Sequence, residues 1–521
     1  MITGFLAWGG LFAQSVLAAS IPADLQALHV LNRLGFGPRP GDIARVNALG
    51  IDRYIQEQLS PGAIPLPSHL SEQLRTLPTL RQSPAQLFRE YGPPAGGQPR
   101  TPEVLRAARV RARLVRAQAV QARLLRASES PRQLEEVMVD FWFNHFNVFA
   151  GKGLDHLWIG AYEEGAIRPY ALGHFRQLLG ATVTHPAMLF YLDNWLNTAP
   201  DSPGARGRFT GLNENYAREL MELHTLGVNG GYSQQDVISL ARILTGWGLP
   251  RGRGGRRLQQ SGLPAPDPGL FFFDARRHDF GEKVLLGKAM TGRGKAEGEE
   301  ALDLLARSPA TAQHIGYALA QYFVADQPPE ALVQRLAERF HGTDGDIRAV
   351  LDTLFHSPEF WDQQNYAAKF KTPYQYVLSA VRAAGVQVEN VTPLARTLRQ
   401  LGMPLYGCVA PDGYKNTQDA WLNPEAMVRR VTFAAALASG RLPLTQPVGE
   451  VPLGEESRAP TGGGLKRATL PEFARPEPVN AVALADTLGN HFSAQTAAAV
   501  RAASPALRAA LLLGSADFMK R

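Results

Sequence analysis

Apolar residues recur at the three-to-four-residue spacing of a helix in nearly every segment of this chain, and this pattern constrains its fold most. The spacing runs through 133–146, 213–226 and 298–360. Because each helix must bury its apolar face against another element, the pattern predicts a mainly α, multi-helical body. Only residues 269–287 read as two short strands joined by a polar turn, which predicts a short β-hairpin insertion.

Loop-rich stretches divide the helical pattern into regions. The predicted regions are a first helical region at 19–247, a loop and hairpin at 248–297, a second helical region at 298–440, a linker at 441–478 and a C-terminal helical tail at 479–521. The linker is rich in Pro, Gly and charged residues, a composition that buries little apolar surface. We therefore expect it to be flexible.

The N-terminus has the pattern of an export signal. A short apolar stretch at 5–17 is followed by small residues, and the small-x-small rule places a cleavage site after Ala18. Residues 1–18 are therefore predicted to be a signal peptide, which places the mature protein in the periplasm or outside the cell. No Lys or Arg precedes the apolar stretch, so the alternatives are a buried first helix or a misplaced start codon.

Composition excludes several classes of protein. The 54 Lys and Arg exceed the 47 Asp and Glu and give a net charge of +7, but the patterns expected of a nucleic-acid module are absent. We predict no nucleic-acid partner. No uninterrupted apolar run is long enough for a membrane span, so no transmembrane segment is expected after signal removal. The single cysteine, Cys408, rules out an internal disulfide and any multi-cysteine zinc site.

A long helix is predicted to begin at Thr101, and arginines follow one stripe along it. These arginines are Arg106, Arg109, Arg113, Arg116 and Arg123. We interpret the stripe as a solvated face. The alternative is a docking face for an acidic partner or an anionic surface.

The helix predicted over 213–226 carries the densest set of charges. Glu214, Arg218 and Glu222 are spaced i, i+4 and i+8 and form one polar line, with Glu219 beside it. His224 lies on the opposite, largely apolar face. A surface ladder of ion pairs, each worth about 0.3–0.5 kcal/mol, is one interpretation. The other is a cleft wall or a metal site built from carboxylates.

The segment FWFNHFN contains a histidine on an apolar stripe. His145 shares this stripe with Leu134, Met138 and Phe141, and Asn144 lies one position round the helix. A histidine in such a place is either a satisfied core side chain or a neutral imidazole that acts as ligand or general base. Because a buried imidazole needs a polar partner, we expect His145 to pack against the charged line at 214–222.

Several segments together resemble one bacterial family, called domain of unknown function 1800. They are LNRLGFGP (31–38), FWFNHFNVFAGKG (141–153), HPAMLFYLDN (185–194), NENYARELMELHTLGV (213–228), YSQQDVISLARILTGW (232–247), HDFGEKVLLG (278–287), DGDIRAVLDTLFHSPEFW (344–361) and PDGY with a later Trp (411–421). The resemblance implies an exported, mostly helical protein. It also implies a neighbouring partner, similar to sulfatases, from the family numbered 1501. Many members have a histidine where Phe143 stands here, so a two-histidine metal site on this helix is not expected.

Two functional hypotheses follow. In the first, the chain is an envelope enzyme or catalytic partner. Glu219 or Glu222 then acts as general base or ligand, and His145 acts as the second base or ligand. Arg218 binds an anion or a carboxylate. The matched positions that remain as binding residues are Asn144, Glu214, His224 and His278. In the second, the chain is a non-catalytic scaffold for a phosphatase- or sulfatase-like partner or a surface polymer. The enzyme requires these side chains to line an open cavity, whereas the scaffold requires them to be closed and mutually satisfied. Neither a metal nor a cofactor follows from the sequence.

Overall fold

The computed structural model describes residues 19–93, 101–250, 269–446 and 477–521. The predicted signal peptide lies outside the described residues. So do residues 447–476, which make up most of the predicted linker.

Helices account for most of the described chain, as predicted. In the first half they are α1 (Ala23–Arg33), α2 (Asp42–Leu49), α3 (Ile51–Leu59), α4 (Ser68–Arg75), α5 (Pro84–Tyr91), α6 (Pro102–Glu129), α7 (Gln133–His145), α8 (Asp155–Tyr162), α9 (Phe175–Thr184), α10 (Pro186–Tyr191), α11 (Asn215–Glu219) and α12 (Gln234–Ile243). Polar side chains fix several of their starts. At α12, the Ser233 hydroxyl accepts from the Asp236 amide at 3.2 Å and the Asp236 carboxylate accepts from the Ser233 amide at 2.8 Å.

The second half continues the helical pattern. Its helices are α13 (Lys295–Ala306), α14 (Pro309–Phe323), α15 (Glu330–Gly342), α16 (Ile347–Phe355), α17 (Pro373–Ala383), α18 (Thr392–Gln400), α19 (Gln418–Trp421), α20 (Pro424–Ala438), α21 (Ala481–Thr487), α22 (Ala494–Ala502) and α23 (Pro505–Gly514). Two π-helical segments, at Glu163–Ile167 and Leu220–His224, directly follow α8 and α11. Both of these wide turns carry charged residues.

The insertion contains a short hairpin, as predicted, but the hairpin lies later in the chain than the two strands expected within 269–287. β1 (Trp247–Gly248) pairs antiparallel with β2 (Phe272–Phe273), and β3 (Lys283–Leu285) pairs with β4 (Lys288–Met290). The hairpin turn is Leu286–Gly287, where φ is 51° and 77°. Positive φ at both central residues gives the turn that matches strand twist, so the chain reverses here and not within the polar segment that follows β2.

One large apolar core joins all three predicted helical regions. It includes buried residues from Ala27 to Met519. α6 packs against α8 and α5, and the final helix, α23, packs against α20. The division into regions at 247 and 298 stays a prediction. Within the described residues, no helix is both long enough and apolar enough to cross a membrane.

The arginine stripe of α6 divides into an exposed part and a buried end. Arg106, Arg109 and Arg113 are exposed, as expected of a solvated face. Arg123 is only 4% exposed, and the solvated interpretation is wrong for it. Its guanidinium lies 2.5 Å from the Asp140 carboxylate and 3.1 Å from that of Glu163. Because the second half of α6 enters the core, the last arginine of the stripe is taken out of water with it.

The ion network around Arg123 extends to its neighbours. The Tyr406 hydroxyl donates to Glu163 at 2.9 Å. Arg168 bonds both oxygens of Glu136, at 2.8 and 3.0 Å, and lies 3.4 Å from Glu163. The wide turn at Glu163–Ile167 supplies the central carboxylate. Charges from α6, α7 and this turn therefore satisfy each other inside the core.

Candidate functional site

The helix predicted over 213–226 changes its pitch half-way. α11 ends at Glu219, and Leu220–His224 continue as a π-helix. A π turn contains more residues than an α turn, so side chains beyond Leu220 are rotated from the positions that α spacing predicts. Glu214 and Arg218 keep their i, i+4 relation, whereas Glu222 and His224 do not extend the same straight line.

Glu214 and Arg218 form a surface network. The Arg218 guanidinium lies 3.3 Å from the Glu214 carboxylate. Gln234 closes the network: it donates to Glu214 at 2.7 Å and accepts from Arg218 at 2.9 Å. The side chains of Arg218 and Glu214 are 40% and 38% exposed, so the ion pair contributes little to stability. This part of the predicted polar line is a surface ladder.

Glu219 and Glu222 are partly buried and meet other groups. Burial raises the pKa of Glu219, and the nearby carboxylates of Glu222 and Asp412 raise it further, against Arg218. Glu222 accepts a hydrogen bond from the Tyr232 hydroxyl at 3.3 Å. These two carboxylates therefore share their surroundings with the loop that contains Asp412.

His145 is partly buried, as its apolar stripe predicts. The prediction that it packs against a carboxylate of the charged line is wrong. Its Nε2 lies 3.1 Å from the backbone oxygen of His224, and His314 Nε2 lies 3.1 Å from that of Leu223. A carbonyl only accepts hydrogen bonds, so both rings carry their proton on Nε2. The physical reason is the π segment, which ends at His224 and leaves its last carbonyls open to side-chain donors.

Three imidazoles come together at this point. The ring of His145 lies 6.2 Å from that of His224 and 5.9 Å from that of His314. Burial lowers the pKa of His224 to about 3. Burial, and then repulsion from His314 and His224, hold the pKa of His145 well below its usual value. The rings are therefore neutral at neutral pH. In the part of the chain that the structure describes, no group of three or more His, Cys, Asp or Glu is placed to hold a metal ion.

The side chain of Asn144 holds a loop in place. It donates to the Tyr414 carbonyl at 2.8 Å and accepts from the Tyr414 amide at 2.7 Å. Asn147 donates to the carbonyls of Cys408 and Ala410, at 3.1 and 2.8 Å. Gly413, with φ of +70°, passes so close that a Cβ there would lie 2.3 Å from the Asn144 carbonyl oxygen. The asparagines on either side of His145 thus fix the loop over 408–414, which contains Asp412.

His278 belongs to a separate buried network. Its Nδ1 lies 2.9 Å from the Thr245 carbonyl oxygen, and its Nε2 lies 3.3 Å from the Glu297 carboxylate. The other Glu297 oxygen accepts from the ammonium group of Lys283 at 2.8 Å. The side chains of His278, Lys283 and Glu297 are all fully buried. This network ties the hairpin to the helix that follows it. Among the described residues, no hydrogen bond or ion pair joins it to His145.

A family model described as a protein of unknown function (DUF1800) matches residues 29–520. The chain belongs to the DUF1800 family. This confirms the resemblance that the motifs indicate. No curated protein and no solved structure matched the chain.

The DUF1800 motifs converge on a junction that the sequence analysis did not single out. Lys152, from the GKG segment, lies 2.7 Å from Asp193 of the YLDN segment and also donates to the Tyr191 carbonyl. The Tyr191 hydroxyl donates to the Val409 carbonyl at 2.7 Å, which reaches the loop held by Asn144. The side-chain amide of Asn213 donates to the backbone carbonyl of Asp193 at 3.1 Å. Three separated motifs, and the loop that leads into a fourth, therefore meet at one place.

Asp155 is the unusual residue near this junction of DUF1800 motifs. It is 0% exposed, and neither carboxylate oxygen has a hydrogen-bond partner among the described residues. Burial raises the pKa of Asp155 to about 9 against the attraction of Lys152, and Asp193 adds to the rise. A lone aspartate after GKGL gave no spacing signal of its own. It stands two residues beyond the end of the FWFNHFNVFAGKG motif, so no sequence pattern pointed to it.

Proposed function

We propose that this DUF1800 protein is a non-catalytic scaffold or assembly factor of the cell envelope. The observation that supports it is how His145 is held. Its Nε2–H donates to the backbone carbonyl of His224, and among the described residues no carboxylate bonds the ring. A histidine that acts as general base is typically oriented by a carboxylate, which also stabilises its charged form. Export and a sulfatase-like partner rest on the N-terminal pattern and the family resemblance, and they belong to this proposal.

The charged residues on the neighbouring helix support the same proposal. Glu214 and Arg218 are satisfied by each other and by Gln234. Asn144 is satisfied by Tyr414. The two hydrogen bonds of Asn144 fix the position of the loop over 408–414, which suits a scaffold.

Replacing His145 by alanine is expected to lower the free energy of unfolding by about 1–3 kcal/mol, because the His224 carbonyl loses its buried donor. Urea unfolding of the purified mature protein measures this loss. His341→Ala, at an exposed position, is the matched control and should change stability by less than about 0.5 kcal/mol. Equal stability of wild type and His145→Ala would contradict the structural role.

The export part of the proposal has its own test. We expect mass spectrometry of protein from the periplasmic fraction to find a mature chain that begins at Ala19, because the cleavage rule places the cut after Ala18. A chain that retains Met1 and stays in the cytosolic fraction would overturn this part alone.

The partner is tested by affinity capture of the tagged chain from the periplasmic fraction, with a stoichiometric sulfatase-like protein as the expected result.

Catalysis at Glu219 is the second candidate, and one observation favours it. Burial, and then the carboxylates of Glu222 and Asp412, raise its pKa, and a perturbed carboxyl group of this kind is typical of functional sites. The assay is hydrolysis of p-nitrophenyl phosphate and p-nitrophenyl sulfate by the isolated chain. Turnover that Glu219→Gln abolishes without a change in melting temperature would establish this candidate and overturn the scaffold. No turnover by the isolated chain, together with turnover by the captured partner, is the result that the scaffold predicts.

A further inference from the structure

A cavity of about 440 Å³ lies between α6, the end of α5 and the segment 150–157. Its size falls within the roughly 300–1,000 Å³ range of small-molecule sites. The apolar part of the lining consists of Leu105, Ala108, Ala112, Leu154 and Leu157. None of the charged candidates on the 213–226 helix lines it. The cavity is thus separate from the site considered above.

The cavity also carries three arginines. Arg109, Arg113 and Arg116 line it, and no Asp or Glu is among its lining residues. Within the described residues, neither Arg109 nor Arg116 has a carboxylate partner. Burial, and then repulsion from Arg399, lower the pKa of Arg116. Arg116 is partly buried against this apolar wall, and an anion beside its guanidinium would stabilise the charged form.

We propose that this cavity binds a small amphipathic anion, which has one apolar chain and one carboxylate or phosphate head group. The alanines at 108 and 112 leave room for the chain against α6. Guanidinium groups bind carboxylate and phosphate in the same forked geometry, so both head groups fit. The cavity is partly open to solvent, so the head group of a bound molecule can stay hydrated at the arginines while its chain contacts the apolar wall. The proposal does not rest on the proposed scaffold function.

Isothermal titration calorimetry of the mature protein tests this proposal with four probes. The amphipathic probes are used below their critical micelle concentrations. Decanoate and decyl phosphate supply chain and charge, decanol supplies the chain alone, and inorganic phosphate supplies the charge alone. We expect both amphipathic anions to bind at least about ten times more tightly than decanol or phosphate, because only they use both the apolar wall and the arginines. Equal affinity for decanol, or no binding of either anion by the folded protein, would overturn the proposal.

Variants on α6 separate the two contributions. Arg116→Gln should weaken decanoate binding at least tenfold. Arg111→Gln removes the same charge from an exposed position of α6 outside the cavity, and should leave affinity unchanged. Ala108→Leu fills the cavity and keeps all three arginines, so it should also weaken binding, with circular dichroism as the check that it folds.

An equal loss in Arg111→Gln and Arg116→Gln would mean that net charge alone attracts the anion. Binding to anionic vesicles without binding to decanoate would mean a membrane surface. Either result overturns the proposal.

Discussion

Replacing Arg123 by methionine is expected to lower the free energy of unfolding by about 3–5 kcal/mol. The guanidinium lies 2.5 Å from Asp140 and 3.1 Å from Glu163, and the side chain of Arg123 is only 5% exposed. Methionine fills a similar volume but leaves Asp140 without its cation and Glu163 with only the more distant Arg168, at 3.4 Å. Removing one partner of a buried ion pair is costly because the remaining charge stays desolvated. Chemical unfolding followed by circular dichroism measures the change.

Two further variants show whether charge causes this loss. Arg111→Met, at an exposed position of the same helix, should change stability by no more than about 0.5 kcal/mol. Adding Asp140→Asn to Arg123→Met removes the carboxylate that is left unpaired and should recover part of the lost stability. If Arg123→Met and Arg111→Met unfold at the same denaturant concentration, the network does not stabilise the fold in the way its geometry indicates.

The buried network marks a limit of sequence reasoning about this fold. Helical spacing predicted the helices and placed Arg123 on one stripe with the exposed arginines of α6. It does not tell how far along a helix the solvent boundary lies. That boundary depends on the partners of Arg123, Asp140 and Glu163, which come from separate segments, and the wide turn at Glu163–Ile167 has no period that a single sequence reveals.

The same limit applies to the candidate site. The apolar stripe correctly predicted that His145 faces the interior. The partner of His145 could not be predicted, because α spacing was assumed through His224 and the chain forms a π turn at Leu220–His224. A hydrogen bond to a backbone carbonyl leaves no trace in side-chain patterns. Carboxylates are the partners that side-chain spacing suggests, so the prediction favoured them.

Asp155 gives the second large expected effect, which depends on pH. The carboxyl group is fully buried and its pKa is raised to about 9, so the native protein holds a proton there at neutral pH. The unfolded chain releases that proton near pH 4. Between these values the native state binds more protons, so this group's contribution to stability is full at low pH and is lost as pH rises, by about 1.4 kcal/mol per pH unit. Asp155→Asn does not titrate and escapes this loss.

The expected result is therefore a difference that grows with pH. The free energy of unfolding of Asp155→Asn, minus that of wild type, should increase by up to about 4 kcal/mol between pH 5 and pH 8. Urea unfolding at several pH values measures it, and comparing two variants cancels the titration of other groups. Asp201→Asn, at an exposed position, should instead run parallel to wild type. If Asp155→Asn also runs parallel, the carboxylate is ionised in the folded protein, and a water molecule or a cation must then reach oxygens that no described side chain satisfies.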